Sequence, residues 1–364
     1  MKKVFALLLA LAMALSLAAC GQKAQEPPKT GGAGTDAGTN AGTSAETSSG
    51  APAADVKKVT MKFAGTTTAD PSLGEYQAML MVEELVEKYS ENTIDVEVYP
   101  ASQLGSNVEF SEGVALGEIE AAVCGFDGLG NYAPVANALC MPYLFTSNED
   151  AMGKIWGDTS VHEALDEAFA GINMKIVGYV NRPFRVVCNN VRSVRSPADM
   201  KGLVLRSPTS AVNTAINSAM GAEPVTISWG EVYTSMSQGA CNAVENAITE
   251  LKSINLEQQC KYISETNHTG GLIPMFVCKS WFDGLAPIQQ EAILKGFSEV
   301  TEWRNNALEE EVEAAWQAFA GAGAEILRFD EIDSAAFQEA CSGVADEFIA
   351  KGDFTQEFYD ALKG

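Results

Sequence analysis

The sequence predicts an α/β protein of two domains, joined by strands that cross between them and spanned by one long helix. Three observations carry that reading. Strand patterns of period two alternate with helical patterns of period three and four, the signature of α/β layers with a parallel or mixed sheet. The 364 residues are too many for one core and fit two domains of ordinary size plus a leader. A helical pattern from Pro287 to about Gly321 has Ile293, Phe297, Val300, Leu308, Val312, Trp316 and Phe319 at three- and four-residue steps. At 1.5 Å per residue it spans about 50 Å, longer than a small domain is wide.

The chain begins Met1-Lys2-Lys3, followed by an apolar run from Val4 to Ala14, a secretory leader too short for a membrane span. Leu17-Ala18-Ala19-Cys20-Gly21 resembles the bacterial lipoprotein signal, which implies cleavage before Cys20 and two acyl chains on the protein once that sulfur is lipidated. Residues 20–55 then read as the lipidated cysteine and a flexible tether. They are Gly, Ala, Thr, Ser and Pro with almost no large apolar side chain, so they bury too little surface to fold.

The folded part opens with the alternating strand Val59–Ala64, a polar loop Thr66–Asp70, and a helix over about Gly74–Tyr89 with Met79, Val82, Leu85 and Val86 on one face. A strand at Ile94–Pro100, a helix at Asn107–Leu116 and a strand at Ala121–Cys124 follow. Further on, Lys175–Val180, Val186–Asn189 and Leu203–Arg206 read as strands, and Ala211–Met220 and Trp229–Ser237 as helices. Ile273–Cys278 reads as a strand returning to the first domain, which makes a two-strand hinge.

Composition narrows the function. With 48 acidic against 24 basic residues the formal charge is −24, a surface that repels phosphate backbones, so no nucleic-acid partner is expected. Apart from Cys20 there are seven cysteines, without CxxC or zinc-ligand spacing, most of them in apolar contexts. They read as buried free thiols acting as small hydrophobes, and no metal or cofactor is expected. Only His162 and His268 are present, the first read as an exposed helix residue and the second as a loop residue, which leaves little for acid–base or nucleophilic catalysis.

Against that acidic background the arginines stand out. Of seven, none precedes Arg182, and five (Arg182, Arg185, Arg192, Arg195, Arg206) fall in one short segment. The planar guanidinium fork matches a carboxylate edge to edge, so the cluster asks for an organic acid. Arg182, Arg192 and Arg195 taken singly read as solvated-face residues. Arg206 differs: it ends the apolar run Gly202-Leu203-Val204-Leu205, where a buried strand delivers a charge that needs a partner.

Five segments resemble one family. They are Tyr99-Pro100-Ala101-Ser102-Gln103-Leu104-Gly105, Met141-Pro142-Tyr143-Leu144-Phe145, the run Ser196-Pro197-Ala198-Asp199-Met200-Lys201-Gly202-Leu203-Val204-Leu205-Arg206, Trp229-Gly230-Glu231-Val232-Tyr233, and Glu245-Asn246. In that order they are similar to the extracytoplasmic solute-binding subunit of a TRAP transporter, the dicarboxylate-binding-protein type. The resemblance implies a two-domain periplasmic-binding-protein fold that closes around an organic acid. Domain I takes 56–179 and 270–285, domain II takes 180–269, and 286–364 supply the long helix and C-terminal helices packing on both.

It also implies a carboxylate clamp at Arg206, a second arginine at Arg185 or its neighbour Arg182, and cleft-facing substrate contacts at Glu245 and Asn246. The family's Asp-Gly before this Glu-Asn pair is replaced here by Asn242-Ala243. Trp229 is placed against the ligand's carbon frame or in plain core, Glu231 is read as first-turn helix dressing, and Glu75 and Asp127 are placed facing the cleft. The expected ligand is a small-molecule carboxylate, a sugar acid such as a uronate or aldonate, or a dicarboxylate. The expected partners are two TRAP membrane subunits, with the membrane itself reached only through the lipid anchor. The other readings are a secreted hydrolase of acidic sugars and a binding-protein input to a sensor.

Overall fold

The computed structural model describes residues 56–157 and 159–364. The leader (1–19), Cys20 and the tether to residue 55 lie outside the described residues. Strands β1 (Val59–Gly65), β2 (Ile94–Tyr99), β3 (Ala121–Val123), β4 (Met174–Asn181), β5 (Arg185–Asn189) and β6 (Val204–Ser207) fall within two residues of their expected bounds. So does β10 (Leu272–Cys278). Three further strands are β7 (Glu223–Thr226), β8 (Ala243–Ala247) and β9 (Tyr262–Ser264), and a fourth, β11 (Glu325–Leu327), follows the long helix.

These form two mixed sheets. The first has the order β2-β1-β3-β10-β4, in which β1 pairs in parallel with β2 and β3, and β10 runs antiparallel between β3 and β4. Every residue of β10 is buried, as a strand covered on both faces requires, and its sequence Leu-Ile-Pro-Met-Phe-Val-Cys is accordingly apolar without alternation. The second sheet has the order β11-β9-β5-β8-β6-β7. The edge strand β11 corrects the expectation that everything after residue 286 is helical. At three residues it is too short to show a period.

The chain passes from the first sheet to the second between β4 and β5 and returns between β9 and β10. The two crossings run side by side: the Arg182 N–H donates to the Gly271 carbonyl at 2.7 Å, and the Arg185 N–H to the Thr269 carbonyl at 3.1 Å. Gly271 makes this possible, because a Cβ there would lie 1.9 Å from the Arg182 carbonyl oxygen.

The helix Pro287–Gly321 has the expected bounds and opens on proline, whose missing N–H costs nothing in a first turn. It buries Ile293, Phe297 and Val300 against the first sheet, with Phe297 edge-on to Phe63 of β1 at 5.6 Å between centroids. Farther along it buries Ala315, Trp316 and Phe319 against the second sheet. Between these patches Arg304, 1% exposed, donates through Nε to the Asn181 carbonyl at 2.9 Å, where β4 ends and the crossing begins.

Two local expectations are corrected. Trp229–Ser237 is not one helix but a 3-10 turn, Trp229–Glu231, followed by the helix Val232–Ser237. Not all the buried cysteines are free thiols either: Cys188 of β5 and Cys260, just before β9, form a disulfide with Cα atoms 6.0 Å apart. They are 72 positions apart in sequence, and the β5–β9 pairing brings them together. Cys124, Cys140, Cys241, Cys278 and Cys341 are free and buried.

Candidate functional site

The site lies where the sheets face each other, at the carboxyl ends of several strands, the usual ligand position in an α/β layer. Thr66 follows β1, Asp127 follows β3, Arg206 and Pro208 stand at the end of β6, and Asn246 stands near the end of β8. Arg185 reaches the same edge from the start of β5 because β5 runs antiparallel to β8. Arg185, Arg206, Asn246, Asp127, Trp229 and Glu250 are among the residues lining an inner chamber of about 40 Å³. Arg206, Asp127 and Trp229 also line an outer cavity of about 360 Å³.

Strand β8 sits between the strands that carry the two arginines. Its Glu245, 1% exposed, receives the Nε of Arg185, while Arg185 Nη2 donates to Glu245 Oε1 at 2.9 Å. His268 closes the same carboxylate from the other side, with Nε2 at 3.4 Å, and its Nδ1 lies 2.8 Å from Thr266 Oγ1. Burial alone pushes the Glu245 carboxyl up, but Arg185 and His268 outweigh it and hold the group at about 2. His268 is a loop residue as expected, yet it is buried and part of this network.

Arg185 Nη1 donates to Asn246 Oδ1 at 3.0 Å, and the Ala247 N–H donates to the same oxygen at 2.8 Å. With its carbonyl oxygen taken twice, Asn246 turns only its NH₂ to a ligand. The expectation of a group that both donates and accepts is narrowed accordingly.

Arg206 is in a different state. It is 3% exposed, and among the described residues no carboxylate lies within ion-pair distance of it. Its Nε donates to the Ile227 carbonyl at 2.8 Å, and its guanidinium packs over the Trp229 ring, 5.3 Å from the centroid. Burial lowers its pKa to about 10, which still leaves it charged at neutral pH. Trp229, half-buried, is therefore wall of the cleft and support for Arg206 rather than plain core.

Arg182 overturns the solvated-face expectation. It donates through Nε to Glu75 Oε2 at 2.5 Å and lies 3.6 Å from Glu250 Oε1, with 11% of its side chain exposed. Burial lowers its pKa, but the two carboxylates outweigh that and raise it. Glu75, 2% exposed, is thus committed to Arg182. Glu75 and Glu245 lie one layer behind the chamber wall, which corrects their placement as cleft-facing contacts. Arg195 is exposed, donating to the backbone carbonyl of Glu331, while Arg192 is half-buried and donates to those of Asp199 and Lys201.

Asp127 accepts from Asn213 Nδ2 at 3.0 Å, a contact from the short helix Phe126–Leu129 after β3 to the helix Ala211–Ala219 after β6, and so from one sheet's side of the cleft to the other. Glu250, in the helix Ile248–Ser253 directly after β8, is 5% exposed and was not anticipated. Its place four residues after Asn246 is the one sequence feature that could have pointed to it. Burial pushes its carboxyl up to about 7, against the pull of Arg182 and with Glu75 and Glu311 adding to the rise. Glu231 is exposed and lines the outer cavity.

The chain as a whole is similar to known proteins. Residues 65–352 match the family model described as DctP, bacterial extracellular solute-binding protein, family 7. The 2,3-diketo-L-gulonate-binding periplasmic protein YiaO of Escherichia coli (strain K12) is 27% identical over 73% of this chain and 80% of its own length. The C4-dicarboxylate-binding periplasmic protein DctP of Rhodobacter capsulatus is 28% identical over 80% of this chain and 87% of its own. Among solved structures, a TRAP periplasmic solute-binding protein from Sulfitobacter sp. NAS-14.1 with bound β-D-galacturonate superposes with a TM-score of 0.79. It is 23% identical, over 84% of this chain and 99% of that one.

Proposed function

Since this chain belongs to family 7 of the bacterial extracellular solute-binding proteins, the DctP family, we propose that it captures a hydroxylated organic acid, a uronate or aldonate, and delivers it to the two membrane subunits of a TRAP transporter. The observation that carries the reading is Arg206: a guanidinium 3% exposed and still charged, at the neck between inner chamber and outer cavity, without a protein carboxylate in reach among the described residues. A buried cation is costly unless paired, and a ligand carboxylate supplies the pair. Its oxygens meet the Nη atoms of Arg206, since Nε is engaged with Ile227, and the NH₂ of Asn246 adds a donor. Each such charge-assisted bond contributes about 1.5–3 kcal/mol.

The inner chamber is too small for a six-carbon acid. At about 40 Å³ it has room for about three water-sized groups, so most of such a ligand extends into the outer cavity of about 360 Å³. Two of the three relatives described above are named for six-carbon sugar acids, which supports a polyhydroxylated ligand. Closure turns domain I (56–179 with 270–285) against domain II (180–269) about the paired crossings, while residues 286–364 pack on both, and the Asp127–Asn213 bond fastens the closed cleft. Cys20 carries the lipid that holds the protein at the outer face of the cytoplasmic membrane, and residues 21–55 give it reach. The test is calorimetric titration with uronates, aldonates and C4 acids: a hydroxylated monocarboxylate is expected to bind, and Arg206→Ala to lose that binding. Unchanged affinity in Arg206→Ala sinks the assignment.

A further inference from the structure

The cations around the cleft are unequally committed. Among the described residues, Arg182, Arg185 and Arg206 are the only lysine or arginine side chains lining the inner chamber or the outer cavity. Arg182 is held by Glu75 with Glu250 beside it, and Arg185 by Glu245. One guanidinium, that of Arg206, is left for an anion, so the site neutralises one carboxylate and no more.

Acidic groups occupy the space on either side of that guanidinium. Asp127 lines both cavities and acts electrostatically on all three arginines. Glu250 lines the inner chamber at the Arg182 end; its one close cation, Arg182, is 3.6 Å away, beyond hydrogen-bond length, so its oxygens are available as acceptors. Outward, the cavity carries Glu109 and Glu231. A ligand anchored at Arg206 therefore sends its carbon chain toward carboxylates whichever way it lies. Hydroxyl groups satisfy those acceptors, whereas a second carboxylate meets like charge without an unpaired cation to offset it.

We propose that Glu250 and Asp127 are specificity residues that reject a second carboxylate and accept hydrogen bonds from ligand hydroxyls, restricting this site to polyhydroxylated monocarboxylates. The inference rests on the solute-binding reading and assigns its selectivity to two acidic side chains rather than to the arginines. Rejection by like charge is the usual way for a site to exclude a close analogue without tighter contact to the preferred one.

The experiment is isothermal titration at pH 8, above the range in which Glu250 takes up a proton, of the purified full chain, and of Glu250→Gln and Asp127→Asn, with D-galacturonate and D-gluconate as hydroxylated monocarboxylates and succinate and L-malate as dicarboxylates. In the unaltered protein the better monocarboxylate is expected to bind at least about 100-fold more tightly than either dicarboxylate. Each substitution narrows that ratio about tenfold, with the dicarboxylate gaining affinity, a gain that a merely structural role for these residues does not produce. Circular-dichroism melts identify a variant that fails to fold, and the other substitution then decides. Dicarboxylate binding equal to or tighter than monocarboxylate binding overturns the proposal, as does an unchanged ratio in the folded variants. Absence of heat with all four acids instead removes the solute-binding reading, and this inference with it.

Discussion

Arg185 and Arg206 flank the same strand, β8, yet they meet opposite fates. On one side β8 hands Glu245 to Arg185, with His268 closing the other face of the carboxylate. On the other side Arg206 finds only the Ile227 carbonyl and the face of Trp229. Arg185 is a neutralised part of the wall that orients Asn246, while Arg206 is a desolvated charge prepared for a ligand. Counting arginines therefore overstates the charge a binding site offers, because the neighbouring strand decides which of them is free.

The comparison breaks most visibly at Arg185. Removing it leaves Glu245 buried without its main partner, so Arg185→Ala is expected to destabilise the fold by about 3–5 kcal/mol, read as a shift in urea midpoint. A midpoint within error of the unaltered protein contradicts the wall role. Arg206→Ala is expected to do the reverse: ligand affinity falls by about 2–5 kcal/mol, while the ligand-free melting temperature holds or rises as a buried unpaired cation disappears. A large drop in ligand-free stability would count against Arg206 as the free cation. A smaller effect is expected from Trp229→Ala, which removes the ring beneath the Arg206 guanidinium and weakens binding by about 0.5–2 kcal/mol.

pH sharpens the contrast further, through two buried glutamates, Glu245 and Glu250, that are neighbours in the chain and shifted in opposite directions. Glu245 is held at about 2, below its ordinary 4.5, so its contribution to stability is present above 4.5 and is lost as pH falls toward 2. Glu250 is pushed up to about 7, so its contribution is present below 4.5 and is lost as pH rises through 7. Thermal melts across that range are expected to show Glu245→Gln with a shallower acid loss than the unaltered protein, and Glu250→Gln with a shallower loss as pH rises from 4.5 through 7. Parallel curves for all three proteins would show that neither group carries the dependence.

Much of the architecture was legible in the chain. The helix Gly74–Tyr89 and the long helix Pro287–Gly321 have their expected bounds because each carries a sustained apolar face and a clear start or stop. The strands missed, such as β9 and β11, are three residues long, and their pairing partners rather than their own pattern make them strands. Arg206 was legible as a buried charge from the apolar run before it. Arg182 was not, because nothing near it in sequence announces Glu75, 107 residues away.

The residues by themselves determined the α/β alternation, the spanning helix and the presence of a charge that needs an anion, since periodicity and an apolar flank are local properties. Tertiary structure decided which arginine kept its charge available, that Glu75 and Glu245 stand behind the wall, that Glu250 enters the chamber, and that Cys188 meets Cys260. Each of those outcomes depends on strand order and on distances between segments remote in sequence. Burial then magnifies every such pairing, because a charge removed from water is governed by whichever partner the fold brings within a few ångströms.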